Sequence, residues 1–397
     1  MSDLFDALAA ASAEDDRRAR PTHPNPEVNF DVASGLPASA TVTSDVKIED
    51  ASEHRKLIEA RTKIEVPADM EVRLEKLTLQ DCPDGSQRWW YKYTFVPKVG
   101  AATSNIDAAK ILKDLRKNRK SVKPAYASDD ATFGLVWADW QVGKKEGGGS
   151  EAFMERMSDS FDLAIERAQE LQTIDRKLGT LAIFGNGDLV EGCTIFGNQP
   201  WQLDLDTRDQ MNIAVTVALE GLDRLAPLFK RVVVMAVGGN HGENRMNGRK
   251  VNNNDNRDVE LFEHAARAAQ RDPRLQHVEW RLAREELAKT IELQGWIYAI
   301  THGQVLPSSG GSIGDRAYKW YAGQAAARRP AGDADVLITS HYHHYASMNW
   351  GACLWKQTGA MDGGSAHFSD VYGRDALPGM LSFVVTPTQR YQDQQVL

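Results

Sequence analysis

Five short segments of the 397-residue chain each place a side chain able to ligate a metal just after an apolar, strand-like run. They are Asp139-Trp140-Gln141, Gly187-Asp188, Gly239-Asn240-His241, Thr301-His302-Gly303 and Ser340-His341-Tyr342-His343. Each segment has a bland reading by itself. Aspartates cap helices and make turns, an asparagine after two glycines forms a turn, and a lone histidine is commonly a hydrogen-bonded core residue. Together the segments supply carboxylate, amide and imidazole donors and no thiolate. That donor mixture suits a two-metal site for hydrolysing phosphate esters.

Such residues need strands to deliver them. Strand-like runs at 132–138, 180–185, 231–237, 295–301 and 336–339 alternate with helical stretches at 151–171, 208–225, 257–271 and 315–327. Alternation of this kind implies βαβ units and a largely parallel sheet. In open α/β sheets ligands collect outside the carboxyl ends of the strands, and each of the five segments sits where a strand run hands over to a loop. Gly187, Gly239 and Gly303 stand beside three of the segments, where they allow unusual dihedrals and close backbone approach. Short strands are expected again at 346–350, 354–357 and 381–386.

The first part of the chain is different in character. Residues 1–45 pass from a short Ala-rich helical stretch through a Pro-rich and then a Ser/Thr/Ala-rich segment, which reads as a mobile arm. Residues 66–79 and 89–96 alternate apolar and polar side chains around Asp84-Gly85, a β-hairpin signal. Trp89, Trp90, Tyr91 and Tyr93 in that hairpin suit either base stacking or a small core. A basic helix-like segment follows at 108–123, with Lys110, Lys113, Arg116, Lys117, Arg119, Lys120 and Lys123. It reads as a phosphate-backbone contact or as a solvated helix. The expected layout is an arm at 1–45, an accessory hairpin and basic-helix module at 46–125, and a catalytic domain at 126–397.

Composition sets outer bounds. Apolar residues make up 42% and charged residues 26%, enough for a sizeable core, and the net charge of −8 argues against a surface coated in positive charge. Cys82, Cys193 and Cys353 are too scattered for a disulfide framework, which suits a reducing compartment. Neither a signal peptide nor a run long enough to span a bilayer is evident, so a cytoplasmic protein without membrane contact is expected. Homo-oligomerisation stays open.

The ordered set resembles the calcineurin-like metallophosphoesterase superfamily over residues 131–386, whose motifs are D-x-H, G-D, G-N-H, H and G-H-x-H. The longer stretches 138–144, 187–192 and 240–245 are similar to phage-encoded members, a subgroup often placed with the nuclease of double-strand-break repair. That would make the compartment a host cytoplasm. The resemblance implies a four-layer α/β/β/α sandwich with mixed sheets, to which a small N-terminal α+β module is added. It further implies that Asp139, Gln141, Asp188 and His343 hold a first metal. Asp188, Asn240, His302 and His341 would hold a second, with Asp188 bridging. His241 would protonate the leaving oxygen while a bridging hydroxide attacks phosphorus in line. Two divalent ions against two carboxylates leave this centre net positive, which suits an anionic ester better than a carboxylate-rich calcium cage would.

Two positions depart from the family pattern. Gln141 stands where a histidine is usual, so an amide oxygen replaces an imidazole at the first metal. This shifts preference from zinc toward manganese or magnesium and predicts weaker binding there; manganese is the favoured ion, with magnesium, zinc and iron as alternatives. Gly242 stands where many members carry an acid that orients the preceding histidine, a task that Glu243 or a residue elsewhere would then take. Lys144, Lys145, Asn244 and Arg245 are candidates for substrate phosphate contacts or plain surface charge. Gly147-Gly148-Gly149 suggests a flap. The expected function is a metal-dependent phosphodiesterase or nuclease acting on DNA. The alternatives are hydrolysis of a small nucleotide or phosphoprotein ester, and a binding protein that keeps the fold without the chemistry.

Overall fold

The computed structural model describes residues 25–30, 37–68, 70–81, 87–97, 107–117, 130–174, 176–196, 199–364 and 377–397. Most of the expected arm, the Asp84-Gly85 turn, residues 118–123 and Cys82 lie outside them. By internal contacts the chain forms two units, Met1–Ala101 and Ala102–Leu397.

The first unit holds strands β1 (Glu27–Phe30) and β2 (Pro37–Ser44), helix α1 (Ala51–Thr62), and strands β3 (Met70–Asp81) and β4 (Gln87–Pro97). The strands form an antiparallel sheet in the order β1-β2-β4-β3. The β3–β4 pair is the hairpin that the alternation predicts. Strand β2 corrects the expected arm: residues 39–44 pair along β4, and Ala40 and Val42 are buried with Ile58 of α1. Tyr91 and Tyr93 are fully buried in this small core, and Tyr93 Oη lies 2.6 Å from His54 Nδ1. Neither ring is a surface for stacking on bases.

The second unit begins with α2 (Ala108–Lys117). Its Leu115 is buried in the core beneath α3 and α4, with Ala108 and Leu112 packed against it. The basic helix therefore belongs with the second unit rather than with the hairpin, and the boundary falls near residue 101 instead of 125. Next come β5 (Ala131–Trp137), α3 (Gly149–Thr173), β6 (Leu178–Asn186), α4 (Thr207–Leu225), β7 (Arg231–Val237), and a two-stranded hairpin of β8 (Arg245–Met246) and β9 (Arg249–Lys250). The chain continues through α5 (Arg257–Ala269), β10 (Val278–Leu282), β11 (Lys289–Leu293), β12 (Trp296–Ile300), α6 (Ile313–Ala326) and β13 (Val336–Thr339). It ends with β14 (Ala346–Asn349), β15 (Leu354–Gln357), β16 (Leu381–Thr386) and β17 (Gln389–Val396).

Among the described residues these strands make two mixed sheets. One runs β10-β7-β6-β5-β16-β17, with β10, β7, β6 and β5 parallel and β16 and β17 antiparallel. The other runs β11-β12-β13-β15-β14, with β12, β13 and β15 parallel. Alternate residues sort the layers. Val233, Met235 and Val237 of β7 share a core with Tyr298 and Ile300 of β12 and Val336 and Ile338 of β13. Val232, Val234 and Ala236 pack instead with α3, α4 and α5. On the far side Leu337 and Ala299 pack with Ala317 of α6. The order is helix, sheet, sheet, helix, which is the expected four-layer sandwich. Strands buried on both faces explain why their sequences read as unbroken apolar runs. Among the described residues no helix is long and apolar enough to cross a membrane.

The glycine run at 147–149 is not a flap. Gly148 caps α3, and Ser150 behind it is tied to Asp204 through its backbone N–H (2.6 Å) and its Oγ (2.7 Å).

Candidate metal centre

The parallel strands β5, β6 and β7 of one sheet and β12 and β13 of the other end at the five segments. At those ends the backbone is unusual. Asp139 (φ 49°), Gln141 (φ 44°), Asp188 (φ 53°), His341 (φ 74°) and His343 (φ 54°) all occupy the left-handed region, half of the ten non-glycine residues there among those described. Side chains with a Cβ pay a conformational cost in that region, so it persists only where surrounding contacts enforce it, most often at functional sites.

Those contacts are visible. Asp139 N–H donates to Gly187 O (3.0 Å) and Gln141 N–H to Asp188 O (2.9 Å), which knits the β5 loop to the β6 loop. His341 N–H donates to Asp139 Oδ2 (3.2 Å), and His241 N–H donates to Asp188 Oδ1 (2.7 Å). Asp258, at the start of α5, is fully buried and accepts three backbone N–H groups: Asp188 (2.9 Å), Leu189 (2.9 Å) and Gly239 (2.8 Å). One carboxylate thus clamps the second and third segments together. Gly239 is needed for this approach, because a Cβ there would overlap the Asp188 carboxylate.

Side chains converge in the same place. Asp188, His302 and His341 each offer a ligand atom, and the three atoms lie within 4.8 Å of one another. His343 Nε2 is 3.3 Å from Asp139 Oδ1, and His302 Nε2 is 4.0 Å from the same atom. Gln141 Nε2 is 3.4 Å from His241 Nε2.

A metal fits this donor set on local grounds. Asp139 Oδ1, Gln141 Oε1, Asn240 Oδ1 and His302 Nε2 are buried without a hydrogen-bond partner. Such orphans are costly unless a cation answers them. His302 makes the case sharply. Its Nδ1 lies 2.8 Å from the Asn186 carbonyl, which only accepts, so Nδ1 carries the proton. At 2.8 Å from Asp188 Oδ2, Nε2 must then carry either a second proton or a cation shared with that carboxylate.

The charges follow the same logic. Burial opposes ionisation of Asp188, yet the His302 and His241 imidazoles hold its carboxyl well below the usual range. Burial alone would depress His302, but Asp188 pushes it up to about 9. His343 is held well above its ordinary value against burial, first by Asp362 and then by Asp139. His341 goes the other way, down to about 3, through burial and the neighbouring His302. His302 and His343 thus hold protons at positions that a cation would displace.

The orienting partner of His241 is Glu191, three residues beyond Asp188. Its Oε2 lies 3.1 Å from His241 Nδ1, and its backbone carbonyl lies 3.0 Å from the same nitrogen. Gln199 holds Glu191 in turn, donating to its carbonyl (2.6 Å) and to Oε1 (3.0 Å). Burial works against a charged His241, but Glu191 and then Asp188 push the imidazole up to about 10. The adjacent Glu243 does not take this role, since it is engaged by Arg245 (2.8 Å) and Lys250 (2.9 Å). A carboxylate inside the Gly187–Gly192 stretch was the available sequence signal. Nothing local ties it to a histidine fifty positions away.

The expected phosphate contacts are mostly engaged elsewhere. Lys144 Nζ bonds to Asp362, whose carboxylate also lies 3.3 Å from His343 Nδ1. Lys144 and Asp362 therefore orient His343. Asn244 donates to Asp255 and accepts from Arg257 (3.2 Å). Arg245 adds a bond to the Ile195 carbonyl (3.2 Å). Lys145 is exposed.

No known family pattern matches the chain, and no curated protein does. Among solved structures it is similar to Vacuolar Protein Sorting 29 from Cryptosporidium parvum, at 16% identity over 65% of this chain and 87% of that one, with a TM-score of 0.31. An archaeal phosphodiesterase matches at 14% identity over 67% and 99% of the two chains, with a TM-score of 0.29. A predicted phosphoesterase from Streptococcus pneumoniae matches at 9% identity over 67% and 97%, with a TM-score of 0.25. Scores this low carry neither family nor function. What the chain's own geometry shows is the helix, sheet, sheet, helix order and the meeting of the five segments at one edge of it.

Proposed function

We propose that this chain is a metal-dependent phosphoester hydrolase and that its substrate is a phosphodiester of DNA. The observation that carries the reading is the convergence of Asp188, His302 and His341 within 4.8 Å, amid buried acceptors that no hydrogen bond answers. Asp139, Gln141, Asp188 and His343 would hold one ion, and Asp188, Asn240, His302 and His341 a second. The amide oxygen of Gln141 would shift preference from zinc toward manganese or magnesium, and manganese is the ion favoured here. When bound, such ions supply positive charge to the phosphoryl group and acidify water.

The chain's own groups supply the rest. His241 Nδ1 faces two acceptors of Glu191, so that nitrogen carries a proton, and the Glu191 charge favours the doubly protonated ring. The remaining proton, on Nε2, is then the one available to a leaving alkoxide. Asp188 Oδ1 accepts the His241 backbone N–H and fixes that ring against the centre. Burial of Asp139, Asp188 and His302 excludes water from their sides of the site.

DNA as substrate draws support from the β8–β9 hairpin, which follows directly on His241. It carries the exposed Arg249 beside Arg245 and Lys250, both of which pair with Glu243, so a basic excess remains on the hairpin. The basic helix α2 lends less, because Lys110 shares its surroundings with Asp114, Glu151 and Glu155.

Manganese-supplemented digestion of single- and double-stranded DNA, run beside methyl nitrophenyl phosphate, tests the proposal. The expected result is cleavage of DNA and of the small diester by the native chain and of neither by Asp188→Asn. Turnover of the small diester alone would move the substrate to a small nucleotide or phosphoprotein ester. Full activity in Asp188→Asn would end the hydrolase reading.

A further inference from the structure

The loop that brings His341 and His343 to the centre also borders a separate cavity of about 540 Å³, lined by Ile313 and Arg316 of α6 together with Tyr342, His344, Met348 and Trp355. Its volume lies within the range of small-molecule sites. Tyr342 joins the two places. Its ring stands edge-on to His341 at 4.9 Å, and the His341 ring is 5.1 Å from that of His302.

The lining is chemically specific. The Arg316 guanidinium lies 5.0 Å over the Tyr342 ring. Its Nη1 donates to the carbonyls of Pro307 (3.4 Å) and Ser308 (3.3 Å), and among the described residues it has no ion-pair partner. Its Nε is buried and makes no hydrogen bond. A cation held by neutral carbonyls keeps its attraction for an anion. The nearby start of α6 does not compete, because Ser312 and Asp315 close it with their own capping box. Trp355 is fixed by a bond from Nε1 to Thr339 Oγ1 (2.9 Å), and Met348 offers a polarisable apolar contact that is 38% exposed.

We propose that this cavity is the subsite for a nucleotide unit adjoining the scissile phosphate. The base extends the Tyr342–Arg316 stack and contacts Met348 and Trp355, while the Arg316 charge meets a phosphate oxygen. The proposal rests on the hydrolase reading for what occupies the adjoining centre, but binding at the cavity can be measured without it.

Isothermal titration of the full chain in EDTA with deoxyadenosine monophosphate, and with inorganic phosphate as the comparison, provides the test. The native chain should bind the nucleotide more tightly than phosphate. Arg316→Ala, and separately Met348→Glu, should each weaken nucleotide binding about tenfold, within the range measured for a base stacked on a side chain. An unchanged thermal transition in each variant shows that the fold is kept. Equal nucleotide affinity in all three proteins, or phosphate binding as tight as nucleotide binding, would overturn the proposal. Hydrolysis of methyl nitrophenyl phosphate with manganese separates the two readings. Nucleotide binding without that turnover sinks the hydrolase reading alone, and turnover without nucleotide binding sinks the subsite alone.

Discussion

Replacing Glu191 by Gln asks whether His241 acts as the acid for the leaving group. Glutamine keeps the shape and can still accept from His241 Nδ1, so the variant removes charge more than contact. At 3.1 Å and an effective dielectric of about 20, the gross attraction between the carboxylate and an imidazolium is about 5 kcal/mol. Desolvation of a carboxylate that is only 3% exposed takes back much of this. Hydrogen bonds to charged groups retain about 1.5–3 kcal/mol, equivalent to a rate loss of about 10- to 150-fold if the interaction is made fully in the transition state. The loss should depend on the leaving group. A dinucleotide leaves as an alkoxide and needs the proton, whereas nitrophenolate departs without one. Steady-state rates on both substrates, at matched metal occupancy, therefore predict the full loss on the dinucleotide and a loss below about threefold on the nitrophenyl diester. An equal loss on both substrates would assign Glu191 to general scaffolding, and no loss on either would remove His241 from the acid role.

Other consequences follow from the same contacts. Gln141→His should tighten binding of the weaker of two ions about tenfold and move its preference toward zinc, read by metal titration; unchanged affinities would show that Gln141 is not a ligand. Asp258→Asn replaces an acceptor of three backbone amides and should destabilise the chain by about 2–4 kcal/mol in urea, with weaker metal binding. A shift below about 0.5 kcal/mol would mean that the clamp is not under load. Burial pushes the Cys353 thiol up to about 12, so iodoacetamide at pH 8 should leave its peptide unmodified in the native protein while Cys193, which is partly exposed, reacts. Labelling of Cys353 at the rate of Cys193 would contradict the burial.

Much of this architecture is local in origin and was therefore legible in the chain. Central strands buried on both faces must be apolar throughout, so β5, β6, β7, β12 and β13 announce themselves. The polar residues that interrupt each run at its carboxyl end mark the ligand segments. Edge strands are less insistent. β10, β11 and β17 face solvent in part, carry mixed sequences and escape notice, and β2 hides in a Ser/Thr/Ala-rich stretch whose fate depends on pairing with β4.

What tertiary structure alone decided is partnership. No spacing rule ties Glu191 to His241, Asp258 to the amides of Asp188 and Gly239, or Lys144 through Asp362 to His343. Each pair meets only because two sheets and their helices close around one edge. Likewise α2 joined the second unit because Leu115 found a core there, not because of its charge. Residue type and local period are written along the chain, whereas the choice of neighbour is a sum over long-range packing.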